Sequence, residues 1–482
     1  MKQNGGLDAN MPGLSGAALA SLYVAAAALP MLAVWVGGIE PAPALSELGT
    51  AFGLTAAALL YLQFLSSGRY EAISGRIGID RTMGFHRVAA FVLLAFVLLH
   101  PLSYTFATLI VDPVAAWHRL TGMLASNRLR TGVLALAGLT LIIAVATIRS
   151  RPFIRYEYWR MSHGLLAIAV AALTLQHALA AGTYSAEYPL RAVWLLFALM
   201  AAGAIGVVYF VRPWRMWRED WRVERISALA DRVWEMTLRG PDTTRLRFRA
   251  GQFIWMTLAP HRPPFHDHPF SIASAAADLP RLRLIVRESG NCTDAFGAVA
   301  PGTRVAIDGP HGSFVLPDGS GRVAMIAGGV GIAPLLGILE EAAARGDRRP
   351  FRLLYAARNP ATLAGLARLR DLQSKLDLLI HCVVDEGARG SDCSAGPISD
   401  RHISRLFDGA LAGEATALVC GPPGMMEIAT DALLAAGVPA KSICYERFDF
   451  GAGKGRLDKV RRREALLPFL ALVAMIAAFS LR

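Results

Sequence analysis

Charge is what this 482-residue chain has least of: 18% of its residues are charged and 54% are hydrophobic, with a mean hydropathy of +0.40. That balance excludes a soluble multidomain enzyme of this length, so part of the chain must lie in a membrane. Cysteine is also scarce. Cys292, Cys382, Cys393, Cys420 and Cys444 form no CxxC pair and lack the four-cysteine spacing of an iron–sulfur centre; they read as reduced cytosolic thiols. Low complexity and repeats are missing, and the first apolar run is long and has no convincing cleavage site, so no cleavable signal is expected. Lys and Arg outnumber Asp and Glu by 49 to 37, a net charge of +12. The arginines flank apolar runs instead of forming a patch, so no nucleic-acid partner is expected.

Crossing the hydrocarbon core takes about 20 apolar residues of helix. Six runs in the first half qualify as candidates: Ser15 to Gly37, Leu48 to Leu65, Phe85 to Ile110, Val133 to Ile148, Trp159 to Ala181 and Ala192 to Val211, with a seventh at Ala465 to Leu481. Arg69, Arg76 and Arg81 follow the second run, Arg149, Arg151 and Arg155 the fourth, and Arg212, Arg215 and Arg218 the sixth. The first connection carries Glu40 and Glu47 and no basic residue. Although Arg119, Arg128 and Arg130 in the third connection dilute the signal, basic loops face the cytoplasm. The amino terminus and the large polar segment are therefore expected on the cytoplasmic side of an integral membrane protein of the plasma or inner membrane. Lys459 and Arg461 to Arg463 precede the last run, which places Arg482 on the extracytoplasmic side.

Ionisable groups inside membrane helices are costly and usually functional. The third run holds His86 and His100, the fifth His163 and His177, each pair 14 residues apart. That is a rotation of about 1400°, roughly 40° short of four turns, with a rise of roughly 21 Å. Each pair thus shares a helix face, one histidine near each membrane surface. Both helices run outward, so His86 can meet His163 at one depth and His100 can meet His177 at the other. Two opposed imidazoles suit a six-coordinate haem of the electron-transfer kind, and this spacing predicts two b-type haems stacked across the bilayer. The alternatives are unrelated helix-end histidines or a transition-metal permeation path. His118, in the third connection, reads as an exposed loop residue.

From Trp221 the pattern changes to short alternating stretches, Arg222 to Leu229, Val233 to Leu238, Phe253 to Leu258, Leu282 to Val286 and Arg304 to Ile307, expected as antiparallel strands of a small barrel. After about Pro317, apolar stretches at Val323 to Ile326, Leu353 to Tyr355, Leu378 to Val384 and Ala417 to Val419 alternate with helical patterns, the mark of a parallel α/β sheet. Gly328, Gly329, Gly331 and Pro334 lie between a strand and a helix, where backbone can approach a pyrophosphate; an ordinary tight turn is the other reading. His268-Pro269-Phe270-Ser271 falls in the barrel. Arg287, Gly290 and Thr293 follow in a strand and turn that could hold a second phosphate pair.

These motifs resemble the ferredoxin–NADP reductase superfamily, and the complete order, with a paired-histidine six-helix domain first, resembles the NADPH oxidase and ferric reductase family from Ser15 to Phe450. The resemblance implies a membrane α-helical bundle of six helices plus a C-terminal seventh, fused to an antiparallel β-barrel flavin domain and an α/β nucleotide-binding domain. The expected boundaries are 1–211, 212–317 and 318–450, then a basic linker at 451–464 and the last helix at 465–481. It also implies that His268 to Ser271 are the flavin motif, with Phe270 near the isoalloxazine and Ser271 close to its reactive nitrogen. Arg287, Gly290 and Thr293 match the segment that binds the FAD diphosphate. Gly328 to Pro334 match the pyridine-nucleotide loop, and Cys420-Gly421-Pro422-Pro423 match the motif beside the nicotinamide. Arg358 sits where the family distinguishes the adenosine ribose, and an arginine there suits NADPH over NADH. Tyr445-Glu446-Arg447-Phe448-Asp449-Phe450 resembles the family's usual ending, which makes Phe448, or else Phe450, the aromatic that stacks on the flavin.

The implied activity is electron transfer from cytosolic NAD(P)H through FAD and two haems to an extracytoplasmic acceptor. FAD is needed because it takes electrons in pairs and releases them singly. Oxygen is the expected acceptor, in a superoxide-producing oxidase; the alternatives are a ferric or other metal reductase and an electron-conduit subunit that delivers to a partner protein. The outer loops are short, so no obligatory protein partner is expected.

Overall fold

The computed structural model describes residues 13–482 apart from 39, 68, 150–154, 186, 259–265, 291, 292, 295, 389–392, 407–414 and 448–452. These fall into two compact units, one of Leu14–Ile73, Thr82–Phe210 and Arg462–Arg482, the other of Ser74–Arg81 and Val211–Arg461.

The first half of the chain is helical: α1 (Gly16–Val36), α2 (Ala44–Leu62), α3 (Glu71–Ile77), α4 (Ile79–Val111), α5 (Pro113–Ala125), α6 (Arg130–Ile148), α7 (Tyr156–Ala181), α8 (Tyr188–Gly206) and α9 (Arg212–Arg218), the last two joined by a π-helical turn at Val207–Val211. Among the described residues, seven stretches are long and apolar enough to cross a membrane: α1, α2, α4, α6, α7, the α8–α9 segment and a helix at Arg456–Ser480. In the helical unit Trp194, Tyr61, Leu59 and Leu93 are fully buried, whereas Phe91, Leu165, Leu199 and Phe210 point outward. Tyr61 hydroxyl donates to the Ala171 carbonyl at 2.9 Å, tying α2 to α7. Glu47, buried in α2, accepts from the Ala42 amide at 3.0 Å, from the Tyr184 hydroxyl and from Arg482 at 3.1 Å.

The third connection is not a loop. Asp112 accepts from the Val114 and Ala115 amides at 2.9 Å, and Pro113 opens α5, so His118 is exposed on a helix. An Asp-Pro pair is a helix start because the carboxylate satisfies donors that the first turn leaves open and proline needs none.

The second unit begins with β1 (Trp221–Ala230), β2 (Val233–Arg239), β3 (Phe253–Leu258), β4 (His268–Ser271), β5 (Arg281–Arg287) and β6 (Arg304–His311). They form one antiparallel sheet in the order β4-β3-β6-β1-β2-β5. Its edges meet where Ile272 bridges Leu284 and the Ala273 amide donates to the Arg283 carbonyl at 2.8 Å. Alternate residues turn Trp221, Met236, Leu238 and Ile254 into its core.

Then come β7 (Val323–Gly328), α10 (Ile332–Ala344), β8 (Phe351–Ala357), α11 (Leu366–Gln373), β9 (Leu378–Val384), β10 (Cys393–Ala395), α12 (Asp400–Arg405), β11 (Thr416–Cys420), α13 (Pro423–Ala435) and β12 (Ile443–Glu446). The sheet is parallel, ordered β10-β9-β8-β7-β11-β12, with apolar clusters on both faces. The chain moves one way from β7 to β8 and returns on its other side as β11, so the carboxyl ends of β7 and β11 form the switch point where such sheets bind ligands. The short edge strands β10 and β12 were not among the expected strands.

The last helix, α14 (Arg456–Ser480), starts nine residues before the apolar run at Ala465. The expected linker at 451–464 is therefore helical from Arg456 onward.

Candidate functional site

In the helical unit, α4 and α7 bring the rings of His86 and His163 to 6.5 Å between centroids, tilted by 51°. A metal–imidazole bond is about 2 Å, so two rings facing one ion across a shared axis have centroids about 6 Å apart. His86 Nδ1 lies 3.1 Å from Ser66 Oγ, and Trp159 lies 5.4 Å from the His163 ring with the Arg149 guanidinium 5.1 Å over it.

His100 and His177 are close enough to interact electrostatically. His100 Nδ1 is 2.7 Å from the Gly49 carbonyl, and Tyr104 meets the ring edge-on at 5.4 Å. With Nδ1 engaged this way, Nε2 is left for a metal, the usual arrangement of a ligating histidine. A Cβ on Gly53 would lie 2.7 Å from the His100 ring, and one on Gly132 would lie 2.7 Å from the His177 ring, so glycines in α2 and α6 make room for both. The Nδ1 atoms of His163 and His177 are buried without a hydrogen-bond partner. Among the described residues no cluster of three or more His, Cys, Asp or Glu could hold a bare metal ion. Paired axial imidazoles suit a macrocycle that supplies its own equatorial nitrogens.

In the second unit, the loop after β7 and the loop after β11 are pressed together. A Cβ on Gly331 would run into the Cys420 carbonyl, one on Gly328 would lie 2.7 Å from Pro422 Cδ, and one on Gly421 would lie 2.9 Å from Gly328 Cα. Gly329 takes a φ of 53°, a left-handed turn open to glycine, and Pro334 is buried in the first turn of α10. This leaves backbone amides at the start of α10 directed towards the switch point, a favourable place for an anion.

Cys420 ends β11, opposite Ala327 on one side and Glu446 on the other. Burial first, and then the nearby Glu446 and Asp80 carboxyls, hold its thiol protonated well above the ordinary range. Glu446 was absent from the expected site. Its carboxyl is fully buried and likewise held protonated, by burial and then by Asp80; Oε1 lies 3.0 Å from the Cβ position of Gly312, beside the Phe253 ring. Phe253 pairs with Ser271 across β3 and β4. Ser271 Oγ and Glu446 Oε2 are both buried without a hydrogen-bond partner, and such orphaned polar atoms mark a place for a ligand. An acidic residue ending an apolar strand was the available sequence signal.

His268 and Pro269 are partly exposed on β4. The resemblance set Phe270 beside the isoalloxazine, but its ring packs in the core against Phe296 at 5.5 Å, and strand alternation sends Ser271 and Pro269 to the other face. Arg287 ends β5, exposed. Gly290 has a φ of 135° and donates its amide to Asp294 at 3.1 Å, while Thr293 Oγ1 accepts from the Ser289 amide at 2.8 Å. Arg358, just beyond β8, has its guanidinium 4.0 Å from Glu386, both largely exposed. Phe448 and Phe450 lie outside the described residues.

Three family descriptions match in chain order. Residues 52–174 match a ferric reductase like transmembrane component, residues 219–314 an FAD-binding domain and residues 325–431 an oxidoreductase NAD-binding domain. His177 falls three residues past the first of these ranges. Among curated proteins, the chain is 26% identical to the reductase component of propane 2-monooxygenase from Rhodococcus jostii (strain RHA1), over 47% of this chain and 62% of that protein. It is 30% identical to the reductase subunit of aromatic O-demethylase from Amycolatopsis sp. (strain ATCC 39116 / 75iv2), over 42% and 61%. The chain thus spans about three fifths of the length of these relatives. Among solved structures, an Amycolatopsis cytochrome P450 reductase is 27% identical with a TM-score of 0.43, over 48% of this chain and 70% of that one. In the order of its three matched domains, the chain has the architecture of the NADPH oxidase and ferric reductase family.

Proposed function

We propose that the protein is a transmembrane NAD(P)H oxidoreductase that passes electrons from NADPH, or less readily NADH, through FAD and two b-type haems to an acceptor on the far side of the membrane, with oxygen the preferred acceptor. When bound, FAD would supply two-electron acceptance from a hydride with single-electron release, and the haems would supply one-electron carriage. The observation that carries the reading is the pair of imidazoles 6.5 Å apart between α4 and α7, with a second histidine pair, His100 and His177, on the same two helices.

His86 and His163 would hold one haem and His100 and His177 the other. The Nδ1 contacts to Ser66 and Gly49 fix ring orientation and make the imidazoles better donors. Gly328, Gly329, Gly331 and Pro334 would let the nucleotide pyrophosphate approach the backbone, while Gly421 and Pro422 shape the opposite wall. Cys420, kept as a neutral thiol, packs beside the nicotinamide without repelling it. Ser271 would offer its free hydroxyl to the flavin ring, with His268, Pro269, Arg287, Gly290 and Thr293 along the rest of FAD, and Phe448 would stack on it. Arg358 would turn from Glu386 to a 2′-phosphate, since an exposed ion pair is worth little and a bidentate phosphate contact more. The basic loops support a cytoplasmic nucleotide domain, and an inside-negative potential would then assist outward electron flow by about 2.3 kcal/mol per 100 mV.

The test is an anaerobic titration of the purified full-length protein with NADPH, followed by oxygen, chelated ferric iron or a quinone in separate runs. The reading expects two reducible low-spin haems and fastest reoxidation by oxygen; His100→Ala should lose one haem and keep flavin reduction. A preparation without haem, or His100→Ala with both low-spin haems intact, would sink it.

A further inference from the structure

Strand β12 delivers Glu446 to the crevice beside Cys420, and what holds that strand comes from the helix that follows it. Asp458, in the first turn of α14, accepts from the Tyr445 hydroxyl at 2.6 Å and from the Arg447 guanidinium at 2.7 Å. Arg447 is buried and Asp458 only slightly exposed, at 5% and 11% of their side-chain surface. Residues 445 and 447 are the two neighbours of Glu446 in the chain. Extended backbone sends alternate side chains to opposite faces, so one carboxylate grips both flanks from one side while Glu446 points to the other.

Further contacts seat the start of α14. The Lys454 amide donates to Glu427 at 2.8 Å and the Arg456 amide to Asp431 at 2.7 Å, both carboxylates belonging to α13, where they serve donors that a helix start leaves open. Leu457 is buried in the cluster that contains Ile443, Leu433 and Val438. Arg461 stacks 4.1 Å over the Tyr445 ring, and burial pushes the Tyr445 hydroxyl up to about 12, so it stays a donor. A Cβ on Gly453 would collide with the Asp458 carboxylate and the Arg447 guanidinium, and one on Gly455 would lie 3.2 Å from Asp431. These glycines, in the stretch expected as a linker, serve close approach. On the other side, the Arg447 amide donates to Asp80 at 3.0 Å.

We propose that Asp458 is the hub of a clamp by which the first turns of α14 fix residues 445–447, making it a positioning residue for hydride delivery in the crevice between Cys420, Ser271 and Glu446. The clamp rests on reading that crevice as the place where nicotinamide meets flavin. Near-contact geometry is steeply rate-limiting, and a displacement of about 1 Å costs on the order of a hundredfold in rate. Loss of the clamp therefore acts on the hydride step more than on binding, because the Gly328 to Gly331 loop that meets the pyrophosphate belongs to β7 and α10.

The experiment is anaerobic stopped-flow reduction of the flavin by NADPH in the detergent-purified full chain, comparing wild type with Asp458→Ala, Tyr445→Phe and the double variant. Asp458→Ala should slow flavin reduction at saturating NADPH by about tenfold or more, with FAD content retained, the half-saturating NADPH concentration little changed and the flavin absorption envelope altered. Tyr445→Phe should slow it less, and the double variant should be no slower than Asp458→Ala, since both act through one carboxylate. Flavin reduction at the wild-type rate in Asp458→Ala would overturn the proposal, as would a defect confined to NADPH affinity. If Asp458→Ala does not accumulate, Tyr445→Phe and Arg447→Lys decide, and wild-type rates in both overturn it. A wild-type flavin that neither NADPH nor NADH reduces would instead defeat the underlying reading of the crevice.

Discussion

Gly53→Ala tests the proposed haem site at His100 with a single methyl group. The Cβ would lie 2.7 Å from both Cε1 and Nδ1 of His100, whereas carbon contacts settle near 3.5 Å, so the ring must shift by about 0.8 Å. It cannot do so freely, because Nδ1 is held 2.7 Å from the Gly49 carbonyl on the same helix. Alanine is otherwise a better helix former than glycine by about 1 kcal/mol, so α2 itself should be no weaker. Loss of a supporting contact behind a metal-ligating histidine typically costs tenfold to a hundredfold in affinity, or about 1.4 to 2.7 kcal/mol. The expected variant therefore folds at least as well as wild type, keeps its FAD and the haem at His86 and His163, and holds the outer haem substoichiometrically or in a high-spin state. Haem-to-flavin ratio, the low-spin absorption bands and a redox titration read this directly. Gly203→Ala, whose Cβ meets nothing within 4 Å, is the matched control and should be silent. Two low-spin haems with unchanged midpoint potentials in Gly53→Ala would refute the placement of a haem against His100.

Arg358→Ala should raise the Michaelis constant for NADPH more than that for NADH, and Glu386→Gln should lower the NADPH value by removing the carboxylate 4.0 Å from that guanidinium; equal kinetics with both nucleotides throughout would defeat the assignment. Glu446 is a buried acid whose folded-state value is raised, so the folded state holds a proton that the unfolded chain releases. The stability this contributes is complete below the ordinary carboxylate range and is lost as pH rises towards the folded value, at about 1.4 kcal/mol per pH unit. Glu446→Gln should flatten that decline in thermal-unfolding scans, and a curve parallel to wild type would show the carboxyl to be ionised when folded. Arg482→Ala should destabilise the helical unit by about 3 to 5 kcal/mol by leaving the buried Glu47 charge with one cationic partner fewer, and Glu47→Gln in the same chain should recover most of it. Additive losses in melting temperature would mean that the two do not act as a pair.

What could be read along the chain was whatever a single element determines by itself. Apolar runs long enough for a bilayer, and histidines 14 residues apart on one helix face, follow from the fixed rise and twist of the helix. The glycine-rich turn after β7 and the Cys-Gly-Pro-Pro after β11 follow from what only glycine and proline permit in the backbone. Helix α5 was legible in principle, through Asp112 and Pro113, and went unread because its apolar stripe is short. The pairing of His86 with His163 needed only the helix directions, but Ser66 in the bend after α2, Gly49 in α2, and the glycines of α2 and α6 that make room for the rings lie elsewhere in the chain. The same holds for Phe270, which was expected in the barrel but whose face was decided by Phe296. Asp80 meets Arg447 across 367 positions of sequence, and Glu47 meets Arg482 across 435. No local pattern encodes such contacts, because a carboxylate meets its donor, the backbone amide of Arg447 for Asp80 and the guanidinium of Arg482 for Glu47, only after packing has excluded water and brought the two together. Periodicity decided where the elements lie, and tertiary burial decided which polar side chains serve each other.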